Sequence, residues 1–355
     1  MTAPIGFATD PRCLEHDPGP WHPESGARLR NLVHLVERRG LRERLVDVSP
    51  RECTDGEVLR VHTDSHLNRV LEVAGRVAEL DPDTRTSEGS VDAARRALGS
   101  TLALVDAVLD DEVRAGFAAV RPPGHHATST DAMGFCLFTN VAAAAAHALD
   151  RPGIDRVLVL DWDVHHGNGT AEIFRDDDRV ALFSSHRFPF YPFSGGADEV
   201  HDGRTVNAPL PEGFGDADVA EAWHTVAAPV ARRHAPDLIL VSAGYDAHAA
   251  DPIGGCAVTE EGFAALAGLV DGLARELCGG RWVAVLEGGY NLRATARSAV
   301  RTLEVMLDGP PAKPGAPGSE GTGGEPAAAT ALVKGILNRA QRSVARTEWG
   351  RGVEF

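Results

Sequence analysis

Short apolar runs alternate with amphipathic stretches along most of this chain, and each apolar run stops abruptly at a cluster of polar residues. The runs Gly116 to Val120, Arg156 to Leu160, Val180 to Ser184, Leu238 to Ser242 and Trp282 to Leu286 read as strands buried on both faces. Helical spacing of apolar residues fills the intervals: Gly26 to Arg39 behind a capping Ser25, Leu67 to Leu80, Val91 to Leu109, and Val141 to Leu149 opened by Thr139 and Asn140. Further helices are expected over Ala217 to His234, from Thr259 to Cys278, and over Arg293 to Met306. Strand-then-helix alternation repeated this often predicts an α/β fold, a parallel sheet covered by helices on both faces.

The two ends of the chain depart from this rhythm. Residues 1–25 are rich in Pro, Gly, His and Asp, so they are expected to form a loop. His16, Asp17, His22 and Glu24 there have metal-ligand chemistry, although polar loop residues usually hydrogen-bond locally. Gly309 to Ala327 is Pro/Gly-rich and reads as a linker between a main domain, residues 1–308, and a last segment, residues 328–355. In that segment Leu332, Val333, Ile336, Leu337, Ala340 and Val344 form an apolar stripe beside Lys334, Arg339, Arg342 and Arg346. An amphipathic helix of this kind docks on its own domain or serves a partner, and docking is the reading adopted.

Composition narrows the class. Of the 355 residues 43% are hydrophobic and 24% charged, an ordinary balance for a globular protein. A net charge of −16 argues against a nucleic-acid partner held by a basic surface. The five cysteines are irregularly spaced without a Cys-x-x-Cys, so neither a disulfide framework nor a zinc ribbon is expected. No secretion signal and no membrane-length apolar run is present. These features point to a cytoplasmic protein of a reducing compartment with no membrane partner, and they leave homo-oligomerisation open.

The chemistry gathers where the strands end. In Leu158 to Thr170 an apolar half gives way to Asp161-Trp-Asp-Val-His-His-Gly-Asn-Gly-Thr170. Alternation along an extended strand points Asp161, Asp163 and His165 the same way. Two carboxylates and an imidazole facing one pocket call for a cation. Other strand ends deliver His125 and His126, Ser184 and Ser185, Tyr245 and Asp246, and the Glu-Gly-Gly-Tyr of residues 287–290. The ligand set expected is Asp163, His165 and Asp246, which balances a dication and leaves a position for water. Gly167-Asn-Gly-Thr-Ala-Glu172 half-resembles a dinucleotide fingerprint, but Glu172 stands where the third glycine belongs. The commonest zinc-peptidase, serine-hydrolase and P-loop motifs are missing.

Arg121-Pro-Pro-Gly-His-His-Ala127, Gly134-Phe-Cys136, Asp161 to Thr170, Ser242-Ala-Gly-Tyr-Asp-Ala-His248 and Leu286-Glu-Gly-Gly-Tyr-Asn-Leu292 resemble the zinc-dependent histone deacetylase family. The likeness is to class II and its bacterial relatives, the acetylpolyamine amidohydrolases and acetoin-utilisation proteins. His22-Pro-Glu24 also resembles an early element of that family, and the likeness extends over residues 15 to 307. It implies the arginase/deacetylase fold, a three-layer α/β/α sandwich on an eight-stranded parallel sheet. It assigns Asp163, His165 and Asp246 to Zn2+, with Fe2+ able to fit the same ligands. His126 becomes the general base and then the acid, His125 its electrostatic partner held by Asp161, and Tyr290 the donor to the developing oxyanion. Asn168, an aspartate in some members, contacts His126 and stabilises its imidazolium less than a carboxylate would, a feature shared with class II. The family's structural K+ would take Asp163, the carbonyls of Asp161, His165 and Ser185, and Ser184.

The same resemblance places Gly134, Phe135, Gly288 and, on the facing wall, Phe190 or Tyr191 around the stem of an acyl-lysine, with Asp83 at the rim. Ile253 stands where polyamine-selective members carry a glutamate, which weakens the polyamine reading. The expected activity is hydrolysis of acetyl- or other short acyl-lysine in proteins or peptides. The alternatives are a small acetylated amine as substrate, or a non-catalytic acyl-lysine binding module, against which intact His126, Tyr290 and the three ligands argue.

Overall fold

The computed structural model describes residues 4–310 and 331–355. Among them ten strands form, β1 (Ile5–Ala8), β2 (Leu45–Val48), β3 (Glu79–Asp81), β4 (Thr84–Arg85), β5 (Ala115–Ala118), β6 (Val157–Asp161), β7 (Val180–Arg187), β8 (Thr205–Leu210), β9 (Leu238–Ala243) and β10 (Trp282–Leu286). Eight assemble in the order β2-β1-β5-β10-β9-β6-β7-β8, and each neighbouring pair is parallel. Strands β3 and β4 make a small antiparallel hairpin. Every residue of β5, β6, β9 and β10 is buried, as expected of a sheet covered on both sides.

Helices Ser90–Leu109 and Asn140–Leu149 pack on each other and on the sheet. A second group, Gly26–Arg38, Glu260–Leu277 and Leu292–Asp308, packs together as well, which gives the three-layer α/β/α arrangement. Thr259 caps its helix by accepting from the Gly262 N–H, whereas Ser25 occupies the cap position without a side-chain bond. Residues 216–234 form one helical run with a π-turn at Trp223–Ala227, just before Pro229.

Besides the β3–β4 hairpin, three strands of the large sheet lie outside the expected set. Strand β1 sits inside the stretch expected to be loop, between β2 and β5; its four residues, Ile-Gly-Phe-Ala, are too few to show a period. Strand β2 is an edge strand with a largely solvent-facing pattern. Strand β8 contains Pro209, which only an edge strand tolerates because proline has no N–H to donate to the ladder. The helix expected to reach Leu80 stops at Leu71. Gly75 then takes a positive φ of 71°, and Leu80 belongs to the hairpin.

The proposed linker, 309–327, lies almost wholly outside the described residues. Beyond it, helix Ala331–Ala345 buries Val333, Leu337, Ala340 and Val344 against β8 and its neighbours, so it docks on the domain and covers the sheet edge. Ser343 Oγ donates to Asp198 there at 2.6 Å. All five cysteines are buried free thiols, and among the described residues no helix is long and apolar enough to cross a membrane.

Candidate active site

Strands β5, β10, β9 and β6 are consecutive neighbours at the middle of the sheet. Their register aligns Ala118, Val285, Ser242 and Asp161 across the sheet. The four loops that follow this row therefore emerge side by side, although they are distant in sequence. Parallel strands place such loops at one edge, where α/β proteins bind ligands.

Asp163, His165 and Asp246 each offer one ligand atom, all within 4.8 Å of one another, and all three residues are buried. Backbone donors fix the carboxylates: the Val164 N–H reaches Asp246 Oδ1 at 2.8 Å and the Gly288 N–H reaches Asp163 Oδ2 at 2.9 Å. His165 Nδ1 lies 2.9 Å from Asp163 Oδ1 and 3.3 Å from Asp246 Oδ2, and that last oxygen has no hydrogen-bond partner. Burial and then the Asp163 charge push the Asp246 carboxyl up to about 7. Burial works against protonated His165, yet the Asp163 and Asp246 carboxylates beside it hold it up at about 9. Two buried carboxylates thus face one imidazole, and a divalent cation among these three atoms would take the place of the imidazole proton as their partner. The donor set fits a metal.

Among the described residues, that is the one such cluster. His16, Asp17, His22 and Glu24 do not form a second one. Glu24 is spent on Arg121, at 2.7 and 2.6 Å, and on Arg28 at 2.9 Å. Asp17 accepts from the Gly19 N–H, and His16 Nδ1 pairs with Ser90 Oγ.

The groups expected to hold K+ lie at adjoining strand ends, with Asp161 beside Ser184 in register. His186 Nε2 donates to the Gly195 carbonyl at 2.9 Å, so its Nδ1 accepts from the Ser184 hydroxyl and the Ser184 oxygen keeps its lone pairs. Burial keeps His186 neutral, its pKa lowered to about 4. Ser185 Oγ accepts from Trp223 Nε1 at 2.9 Å and faces the Asp161 carbonyl at 3.5 Å.

His125 and His126 follow β5 with ring centroids 4.0 Å apart. Asp161 Oδ2 binds His125 Nδ1 at 3.0 Å. Burial opposes the His125 cation, but Asp163 and Asp161 hold it up at about 10. Asn168 Oδ1, which can only accept, lies 2.7 Å from His126 Nδ1, while its amide nitrogen donates to the His126 carbonyl at 3.3 Å. The His126 proton is therefore on Nδ1, and Nε2 keeps a lone pair. Burial and then the neighbouring charges of His125 and His165 keep this ring well below the ordinary imidazole value.

Gly134 and Phe135 both take positive φ, 56° and 69°. A Cβ on Gly134 would lie 2.3 Å from His126 Cδ2, so only glycine lets this turn approach the ring. Asp83, expected at the rim, is tied to the Phe135 turn by Oδ1, which accepts from the Gly134 N–H at 3.0 Å and from the Thr84 hydroxyl. Phe135 meets Tyr290 edge-on at 5.8 Å and His22 at 4.5 Å. On the facing wall Phe190 stacks on His165 at 5.1 Å, and Tyr191 meets His126 edge-on at 5.2 Å. Burial and then the Asp246 charge raise the Tyr290 phenol well above its ordinary value, so it stays an O–H donor. Gly288, expected beside substrate, lies against the carboxylates of the cluster: a Cβ there would sit 2.0 Å from Asp246 Oδ2. The Ile253 N–H is bonded to Asp251 Oδ1 at 2.9 Å, and the next residue, Gly254, accepts from Arg187, whose guanidinium lies over Phe190 at 4.2 Å.

Several contributors had no role assigned from sequence. Glu287 Oε2 accepts from the Gly124 and His125 N–H groups at 2.6 and 3.2 Å and so holds the histidine loop. Arg28 donates to the Gly289 carbonyl at 2.5 Å and to the Glu287 carbonyl, and lies 5.1 Å from the Tyr290 ring centre. One signal pointed to Arg28: it shares a helical stripe with Leu32 and Val36, all three fully buried.

An all-parallel eight-stranded sheet with two helical layers and a three-donor cluster at its central strand ends defines an α/β protein of arginase/deacetylase architecture. Sequence comparison agrees, since the histone deacetylase domain matches residues 22–306. Histone deacetylase 5 of Arabidopsis thaliana is 38% identical over 86% of this chain and 50% of its own length. Polyamine deacetylase HDAC10 of Homo sapiens is 40% identical over 88% of this chain and 48% of its own. The chain thus spans about half the length of these two relatives, and 79% of a probable deacetylase of Archaeoglobus fulgidus at 39% identity. The solved HDA15 HD domain superposes with a TM-score of 0.89 at 35% identity, covering 99% of this chain and 96% of that one. The chain belongs to the histone deacetylase family.

Proposed function

We propose that this chain hydrolyses the amide bond of N-acetyl-lysine, or of lysine carrying another short acyl group, in proteins or peptides. The observation that carries the reading is the convergence, at four adjoining strand ends, of the three-donor cluster, an imidazole with a free Nε2 and a phenol donor. A divalent ion held by Asp163, His165 and Asp246, zinc or iron, supplies Lewis acidity toward the amide carbonyl and acidifies water. His126 Nε2 takes a proton from water as its oxygen bonds to the carbonyl carbon, then returns the proton to the amine nitrogen as the C–N bond breaks. Free carboxylic acid and free amine result. Tyr290 donates to the carbonyl oxygen as negative charge builds there, and losing one such donor typically costs about 10²–10³ in rate. Phe135 on one side and Phe190 with Tyr191 on the other suit an apolar four-carbon stem. A K+ ion among Ser184, Ser185 and the Asp161 end of β6 belongs to this proposal, as does a catalytic unit within residues 1–308.

A second reading, hydrolysis of acetylated polyamines, is favoured by the name of one relative, the human polyamine deacetylase. Ile253 speaks against it, because an aliphatic side chain offers no charge to a secondary ammonium. The test is a turnover panel of acetyl-lysine peptides, longer acyl-lysine peptides and acetylpolyamines, with and without chelator. A kcat/KM at least tenfold higher on acetylpolyamines would replace the first reading by the second.

A further inference from the structure

One carboxylate outside the metal cluster joins two loops of the site. Asp251 Oδ1 accepts from the N–H groups of Ile253 at 2.9 Å and Gly254 at 3.2 Å, an ordinary local turn. Its other oxygen is not local. Asp251 Oδ2 accepts from the N–H groups of Tyr290 at 2.6 Å and Asn291 at 3.2 Å, about 40 residues further along the chain. A second pair of bonds closes the same seam. Asn291 Nδ2 donates to the Ala250 carbonyl at 2.9 Å, while Asn291 Oδ1 caps the helix Leu292–Asp308 through the N–H groups of Arg293 and Ala294.

Tyr290 thus sits between a rigid helix start and the loop that follows metal ligand Asp246. The Tyr290 ring is flanked by Arg28 and Phe135. The peptide unit that joins Gly289 to Tyr290 is held at both ends, its carbonyl by Arg28 and its N–H by the short charge-assisted bond to Asp251. A small shift at the backbone is magnified at the phenol oxygen, the far end of the side chain, and misplacement by about 1 Å costs on the order of 10²-fold in rate.

Building on the role of Tyr290 proposed above, we propose that Asp251 is a positioning residue: its carboxylate clamps the Tyr290 loop to the Asp246 loop and so sets the phenol against the reacting carbonyl. It does not touch substrate, and its effect passes through Tyr290.

The test uses the metal-loaded full chain with an acetyl-lysine peptide, and the variants Asp251→Asn, Asp251→Glu, Tyr290→Phe and Asp251→Asn/Tyr290→Phe. An amide at 251 turns one acceptor into a donor facing two N–H groups. Asp251→Asn should lower kcat by ~10- to 100-fold with KM within about twofold and metal content unchanged, and Asp251→Glu should recover part of the loss. In the Tyr290→Phe background the same change should cost less than about twofold. The chain has three tyrosines, so fluorotyrosine labelling gives a readout independent of turnover. The 19F resonance lost in Tyr290→Phe should move or broaden in Asp251→Asn, with the other two in place. Equal losses of kcat in both backgrounds, an unmoved Tyr290 resonance, or loss of metal or of the folded state in both Asp251 variants would overturn the assignment. Wild-type turnover by Tyr290→Phe would instead overturn the catalytic reading of Tyr290, while the fluorine spectra would still decide whether Asp251 holds its loop.

Discussion

The Asn168 side-chain oxygen lies 2.7 Å from His126 Nδ1, and this single bond decides which nitrogen of the ring can act as a base. Without it the proton can move to Nε2, and the base is lost in that tautomer. Asn168→Ala should therefore lower kcat by roughly 10- to 100-fold, with metal content and KM little changed. Steady-state kinetics beside metal analysis checks this, and an unchanged kcat would detach Asn168 from the chemistry.

Glu24 is fully buried between Arg121 and Arg28, with His16 Nε2 at 3.3 Å. Removing the charge leaves two buried guanidiniums uncompensated, so Glu24→Gln should cost about 3–5 kcal/mol at pH 7. Burial pushes this carboxyl up, but the Arg121 charge and the bonds to His16 and Arg121 outweigh it and hold the pKa well below the ordinary 4.5. A depressed folded value means the unfolded chain binds the proton more readily. The stabilisation is thus fully present above pH 4.5 and fades as the pH falls through the folded value. Denaturant titrations of wild type and variant should show their gap shrinking on acidification; a gap independent of pH would contradict this account.

Gly288 lies against both ligand carboxylates, and a methyl group there would stand 2.0 Å from Asp246 Oδ2 and 2.6 Å from Asp163 Oδ2. Gly288→Ala should loosen the donor set and weaken metal binding by roughly 10- to 100-fold. Competition against a chromogenic chelator measures this directly. Wild-type affinity in the variant would mean the carboxylates can retreat without consequence.

Much of this site was legible in the chain because parallel strands announce themselves. Strands β6, β9 and β10 are five or six apolar-rich residues long, and the polar residues that follow them are the ones the fold brings together. Asp163 and His165 lie two positions apart at one strand end, whereas Asp246 joins them only because β9 neighbours β6. What the sequence concealed were features without a period. Strand β1 is four residues long, and β8 carries an asparagine and a proline. The clamps made by Asp251 and Glu287 bind backbone N–H groups, which no side-chain pattern records. Arg28 was concealed differently, as a charge on an apolar stripe whose partners lie 4 and about 260 residues away.

The central claim is that the Asp163, His165 and Asp246 cluster holds the ion on which acyl-lysine hydrolysis depends. Its most direct test is turnover of an acetyl-lysine peptide by the protein stripped of metal, reloaded with one equivalent of zinc, and reloaded as the Asp246→Ala variant. The account predicts that activity is lost on stripping and restored at one equivalent. The variant should neither retain zinc through mild chelation nor turn over. Full turnover by the stripped protein, or stoichiometric zinc in Asp246→Ala, would contradict it.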